Sequence, residues 1–434
     1  MKNLIRTSII AAAGLLSTAA FAETLTIATV NNGDMIRMQK LTDDFTKANP
    51  DIQLQWVTLE ENVLRQKVTV DIATKAGQFD ILTIGTYEVP LWAKQGWLLP
   101  LQNLGPDYDV EDLIPAIRNA TSEDGKLYAA PFYAESSLLM YRKDLFAKAG
   151  LTMPEKPDWD FIGDAARKLT DRANDVNGIC LRGKAGWGEN MASLTSLANS
   201  FGAKWFDKNW KPQFDQQSWK DTLGFYVKLM KDAGPAGASS NGFNENLALF
   251  QQGKCAMWID ASVAASFVSD PKQSTVADKA AFAVSPDEKG SGNRGNWLWA
   301  WTLAIPAGSH KAESAEKFIA WATSKHYIEL VAEKEGWANV PPGTRKSLYE
   351  NQKYLDAAPF AKMTLDAMLA AGEGKQKTQY PFWQYVILPE YQAVGNAVGQ
   401  VFSSALTGDT TVDAALQQAQ NLTERAMAKA GYPK

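Results

Sequence analysis

The chain has 434 residues, 44 of them basic and 48 acidic, for a formal net charge of −4. No basic run is long enough to follow a phosphate backbone, which argues against a nucleic-acid partner. Apolar residues make up 45% of the chain, ordinary for a globular core, and the length suits two bodies of roughly 150–200 residues.

The N-terminus carries Lys2 and Arg6, then an apolar stretch from Ile9 to Phe21. It ends at Ala20-Phe21-Ala22, a small-x-small cleavage pattern. Residues 1–22 therefore read as a cleavable signal peptide, too short to span a bilayer as a mature helix. No Cys follows the cleavage point, so no lipid anchor is expected. The mature chain is expected to begin at Glu23, to be soluble and to reside in the periplasm. Removing Lys2 and Arg6 leaves 42 basic and 48 acidic residues, a net charge of −6.

Leu25 to Val30 reads as a buried strand, and Met38, Leu41, Phe45 and Ala48 form a helical stripe ended by Asn49-Pro50. Ile52, Leu54 and Trp56 alternate as a second strand. Leu64, Val68 and Ile72 mark the next helix, and Phe79 to Ile84 the third strand. This order predicts an α/β fold with a parallel sheet and right-handed crossovers.

Beyond Pro131, Ser137 to Tyr141 is strand-like and leads into a helix ending at Gly150. Helices are expected near 159–174, 189–201 and 216–232, and a strand over Gly253 to Ile259. Trp297, Trp299 and Trp301 alternate, which puts them on one face if the run is a strand. After about residue 310 the pattern is mostly helical, and the last helix carries Val412, Leu416, Ala419 and Leu422.

Two cysteines, Cys180 and Cys255, suggest a disulfide in an exported protein. The only histidines, His310 and His326, sit in polar helix-surface contexts, and no nucleophile–His arrangement is apparent. Gly290 to Gly295 matches G-x-G-x-x-G, but an aromatic strand-like run follows it where a helix should open, so it reads as a loop. Carboxylate pairs such as Glu60-Glu61 leave a secreted glycoside-active enzyme open as an alternative. The 15 tryptophans suit either core packing or stacking on the C–H faces of carbohydrate.

Tyr128 to Glu135, followed by Leu138 to Phe146, resembles the hinge-and-strand signature of family 1 extracellular solute-binding proteins of ABC importers. Gln78 to Leu82, Leu249 to Trp258, Trp301 to Pro306 and Ala315 to Phe318 resemble the same family. Its sorbitol/mannitol-binding members are the nearest likeness. The resemblance implies a two-lobed periplasmic-binding-protein fold of type II, like maltose-binding protein, with a hinge and an interlobe cleft. One lobe would be 23–131 plus 296–338, the other 132–290 plus 345–434. Crossings are expected near 130–132, 284–295 and 336–345.

The resemblance also implies a polyol ligand, with a monosaccharide or oligosaccharide as the alternative. It implies permease subunits of an inner-membrane ABC transporter as partners, a monomer, no cofactor, no metal and no catalysis. Glu135 resembles a ligand-contacting carboxylate, with Tyr133 beside it, and Tyr87 and Glu88 resemble polar contacts of the family. Strand ends and crossings add Asn31, Asn32, Glu61, Asp260, Trp258, Trp297, Trp299, Trp337 and Asn339 as candidates. Hydroxyl-rich ligands need acid and amide partners and aromatic walls.

Overall fold

The computed structural model describes residues 22–288, 293–373 and 385–432. Among the described residues, eleven strands form two main sheets and one small hairpin: β1 (Glu23–Val30), β2 (Ile52–Leu59), β3 (Ile81–Gly85), β4 (Leu98–Leu99), β5 (Ser122–Glu123), β6 (Lys126–Leu127), β7 (Ala129–Glu135), β8 (Ser137–Arg142), β9 (Met257–Ala261), β10 (Ala280–Ala283) and β11 (Trp299–Pro306). The first sheet has the order β2-β1-β3-β11, with β4 and β7 both pairing the far side of β11. β1 runs parallel to β2 and β3, as the strand–helix alternation requires. β11 closes the sheet antiparallel to β3. The second sheet is antiparallel, in the order β10-β8-β9.

The helical stripe after β1 is two helices, Gly33–Leu41 and Asp43–Ala48, joined at Thr42. The helix Glu61–Thr74 packs Leu64, Val68 and Ile72 under the first sheet and ends on a left-handed Lys75. Among the described residues no helix is long and apolar enough to cross a membrane. Residues 1–21 of the signal peptide expected over 1–22 lie outside the described residues.

The first crossing lies further along the chain than the sequence suggested. Residues 130–132 fall inside β7, which stays in the first sheet through Glu135, while β8 joins the second sheet from Ser137. Pro131 looks like a breaker in sequence. In β7 it sits beside a register shift, where Tyr133 faces Trp301 and Pro131 faces Thr302, and a proline is tolerated at such an irregularity. The returning segment runs alongside: Ser137 Oγ donates to the Gly295 carbonyl, and the Trp297 amide donates to Ser136 Oγ. Part of the loop expected as the second crossing, 289–292, lies outside the described residues. Near the third, the Ala134 amide donates to the Pro342 carbonyl, and Arg345 pairs with Asp112. Arg345 thus sits with the first sheet, at the start of the segment expected in the second lobe.

Candidate functional site

A narrow cleft lies between elements of the two sheets. Asn32, Glu61, Arg65, Tyr133, Glu135, Trp299 and Trp301 line it from the elements of the first sheet. Arg182, Gly188, Phe243, Ala261 and Val263 line it from those of the second, and Tyr385 joins them.

Glu135 ends β7 at the junction of the lobes and is 5% exposed. Its Oε2 has no hydrogen-bond partner. Burial pushes its carboxyl well above the ordinary range; Arg182 opposes that shift, and the charges of Asp260, Glu61 and Asp34 add to it. Neighbouring Tyr133 accepts a hydrogen bond from Asn32 Nδ2 at 3.1 Å.

Two buried guanidiniums organise the opposite walls. Arg182 grips Asp260, with Nη2 2.6 Å from Oδ1 and Nε 2.9 Å from Oδ2, and Nη1 donates to the Gly188 carbonyl at 2.9 Å. Burial works against the Arg182 charge, but Asp260 outweighs it and raises the pKa. Glu189 stands 3.6 Å from Arg182 and 3.7 Å from Lys184. Burial first, then the charge of Glu61, pushes the Glu189 carboxyl up to about 8.

Arg65 lies between Glu61, at 2.7 Å, and Glu88, at 2.9 Å. Burial again opposes its charge, and the two carboxylates prevail. Its guanidinium also rests 3.8 Å from the Trp187 ring centroid, 4.9 Å from Trp301 and 5.2 Å from Trp299. Gly85 makes this wall possible: a Cβ there would enter the Trp299 ring. The Gly85 amide also donates to Glu88 Oε2 at 3.0 Å, which fixes the carboxylate under Arg65.

The candidates divide by place. Asn32, Glu61, Tyr133, Glu135 and Trp299 line the cleft. Asp260 and Glu88 lie behind the two arginines, and Asn31 at the rim accepts from Asn244 Nδ2 at 3.2 Å. Five others lie in the packing. Trp258 is sandwiched between Phe243 and Phe250, its Nε1 donating to Asp260. Tyr87 is buried and donates to the Leu388 carbonyl. Trp297 packs beside Ser136 and, unlike Trp299 and Trp301, is not part of the cleft wall. Asn339 accepts from Arg37, and Trp337 shares its short turn, away from the cleft walls.

Sequence reasoning missed Arg65, Arg182, Phe243 and Tyr385. Arg65 left a signal, since it follows Glu61 by four positions on one helix, the spacing of a Glu–Arg pair. Arg182 left none: it reaches Asp260 from 78 residues away.

Comparison with known proteins fits this geometry. The profile of the bacterial extracellular solute-binding proteins matches residues 32–328. A mannitol-binding protein of Pseudomonas aeruginosa is 56% identical over 419 residues, covering 95% of each chain. A solved ABC transporter solute-binding protein of Agrobacterium vitis, with bound D-mannitol, is 69% identical. It superposes with a TM-score of 0.94 over 95% of this chain and 100% of that one. A ribitol complex from Agrobacterium radiobacter is 25% identical, with a TM-score of 0.82 over 93% of this chain and 98% of that one. The chain belongs to the bacterial extracellular solute-binding proteins.

Proposed function

We propose that this protein captures a linear hexitol such as mannitol in the periplasm and delivers it to the permease of an ABC importer. The observation that carries this reading is the unpartnered Glu135 Oε2, buried in a cleft where Glu61 is held by Arg65 and Asn32 donates to Tyr133. Such an oxygen needs a hydroxyl or a proton, because a buried acceptor without a partner costs about 1–3 kcal/mol. A hexitol offers hydroxyls along its length and C–H surface between them. Trp299, Trp301 and Tyr385 supply a matching aromatic wall, and Arg182 and Asn32 add donors. The similarity to mannitol-binding relatives supports the same ligand class.

Walls from both lobes imply that ligand stabilises a closed form by bridging them. The protein then acts by capture and release as a monomer, without a cofactor and without changing the ligand. Titration calorimetry with D-mannitol, sorbitol, ribitol and glucose tests the assignment. Tight, saturable binding of a hexitol is expected, with the ligand recovered intact. Absence of binding to every polyol would overturn it.

A further inference from the structure

Across Arg65 from the cleft lies a second opening that reaches solvent. Amide and hydroxyl side chains line it from both sides: Gln66 and Thr69 on the helix Glu61–Thr74, and Gln392 and Asn396 on the helix Tyr391–Thr407. The cleft and this groove share one residue, Arg65. Trp187 lies on the groove side of it, and the two side chains stack at 3.8 Å. Trp187 is itself held by Tyr87 and Tyr385, with ring centroids 5.1 and 4.8 Å away. Its amide donates to Asn396 Oδ1.

We propose that the stacked Arg65–Trp187 pair is a partition that sets the maximum ligand length, stopping the cleft at one hexitol. This rests on the polyol reading of the cleft. A ligand with a sugar unit beyond the hexitol would have to displace two buried, mutually stacked side chains. Discrimination then comes from a built-in clash and not from weaker hydrogen bonding. With the partition gone, the added unit would enter a groove already furnished with amides and a hydroxyl.

The test measures affinity for sorbitol and for maltitol, which is sorbitol bearing one glucosyl unit, with glucose and maltose as a parallel pair. The wild type should bind the short member of a pair at least a hundredfold more tightly than the long one. Trp187→Ala should narrow that ratio at least tenfold, with folding checked by circular dichroism; Trp187→Leu serves if the alanine variant does not fold. Wild-type protein that binds maltitol or maltose within tenfold of its short partner overturns the partition, whatever the variants do. So does a folded variant with an unchanged ratio. Wild-type protein that binds glucose but no hexitol removes the polyol reading, and the sugar pair then judges the partition.

Discussion

Lys184 Nζ lies 2.6 Å from Glu60 Oε1, an ion pair that joins elements flanking the two different sheets. Glu60 follows β2 of the first sheet. Lys184 follows the segment whose Cys180 amide donates to Met257 of β9. Asn62 Nδ2 donates to the Ala185 carbonyl at 3.3 Å, next to the ion pair. Lys184 is therefore expected to favour the closed form without touching ligand. The pair is partly exposed, and such pairs contribute about 0.5–1 kcal/mol. Lys184→Ala should raise the dissociation constant about two- to fivefold, mainly through faster release. Added salt should shrink the difference, as screening weakens the wild-type pair. Stopped-flow release rates check this, and equal rates would show that the tie contributes nothing to closure.

The acidic cluster makes stability depend on pH in a defined direction. Glu189 is pushed from 4.5 up to about 8. Between those values the closed, folded protein keeps a proton that the unfolded chain has lost. The folded state then binds more protons, so stability falls as pH rises through the window. Burial raises Glu135 and Glu88 as well, which acts in the same direction. Melting of the ligand-saturated protein should come at a higher temperature near the bottom of this window than near its top. Glu189→Gln should flatten the slope, and an unchanged slope would assign it to other groups.

Cys180 and Cys255 are joined, with Cα atoms 5.9 Å apart and a sequence separation of 75. Constraining a loop of that length stabilises by about 4.5 kcal/mol in the chain-entropy model. The bridge also fastens the segment that carries Arg182 to the strand that carries Asp260. Thiol titration of the denatured, unreduced protein should find no free thiol. Reduction should lower both the melting temperature and ligand affinity. A reduced protein with wild-type affinity would separate the bridge from the site.

Much of this architecture is legible in the sequence because it is local. β1 to β3 and the intervening helices follow hydrophobic period and turn residues, and they pair in parallel as that alternation requires. Near the first crossing that the resemblance implied, β7 carries Pro131 through a register shift and stays in the first sheet to Glu135, which only the β7–β11 register records. The site was half visible. Glu135 and Trp299 stand at strand ends beside the junction, where a local pattern can place them. Trp258 and Tyr87 have the right chemistry, yet their rings turn into the core, and sequence spacing does not report that choice. Arg182 and Tyr385 reach the cleft through contacts far along the chain, which no local pattern records.

Glu135 offers the sharpest test of the site, because affinity and stability should respond differently. A carboxyl aimed at the ligand can engage two hydroxyls, and two such hydrogen bonds together contribute about 1–3 kcal/mol. Glu135→Ala should therefore weaken hexitol binding about ten- to hundredfold. Glu135→Gln keeps the shape and one acceptor, so its loss should be smaller. The ligand-free protein should not lose stability in either variant, since Oε2 has no partner to forfeit and its burial opposes its charge. A residue that served only packing would give the opposite result, a lower melting temperature with affinity retained in the folded fraction. Calorimetry and thermal melting on the same preparations separate the two roles. Wild-type affinity in Glu135→Ala would remove this residue from the ligand site.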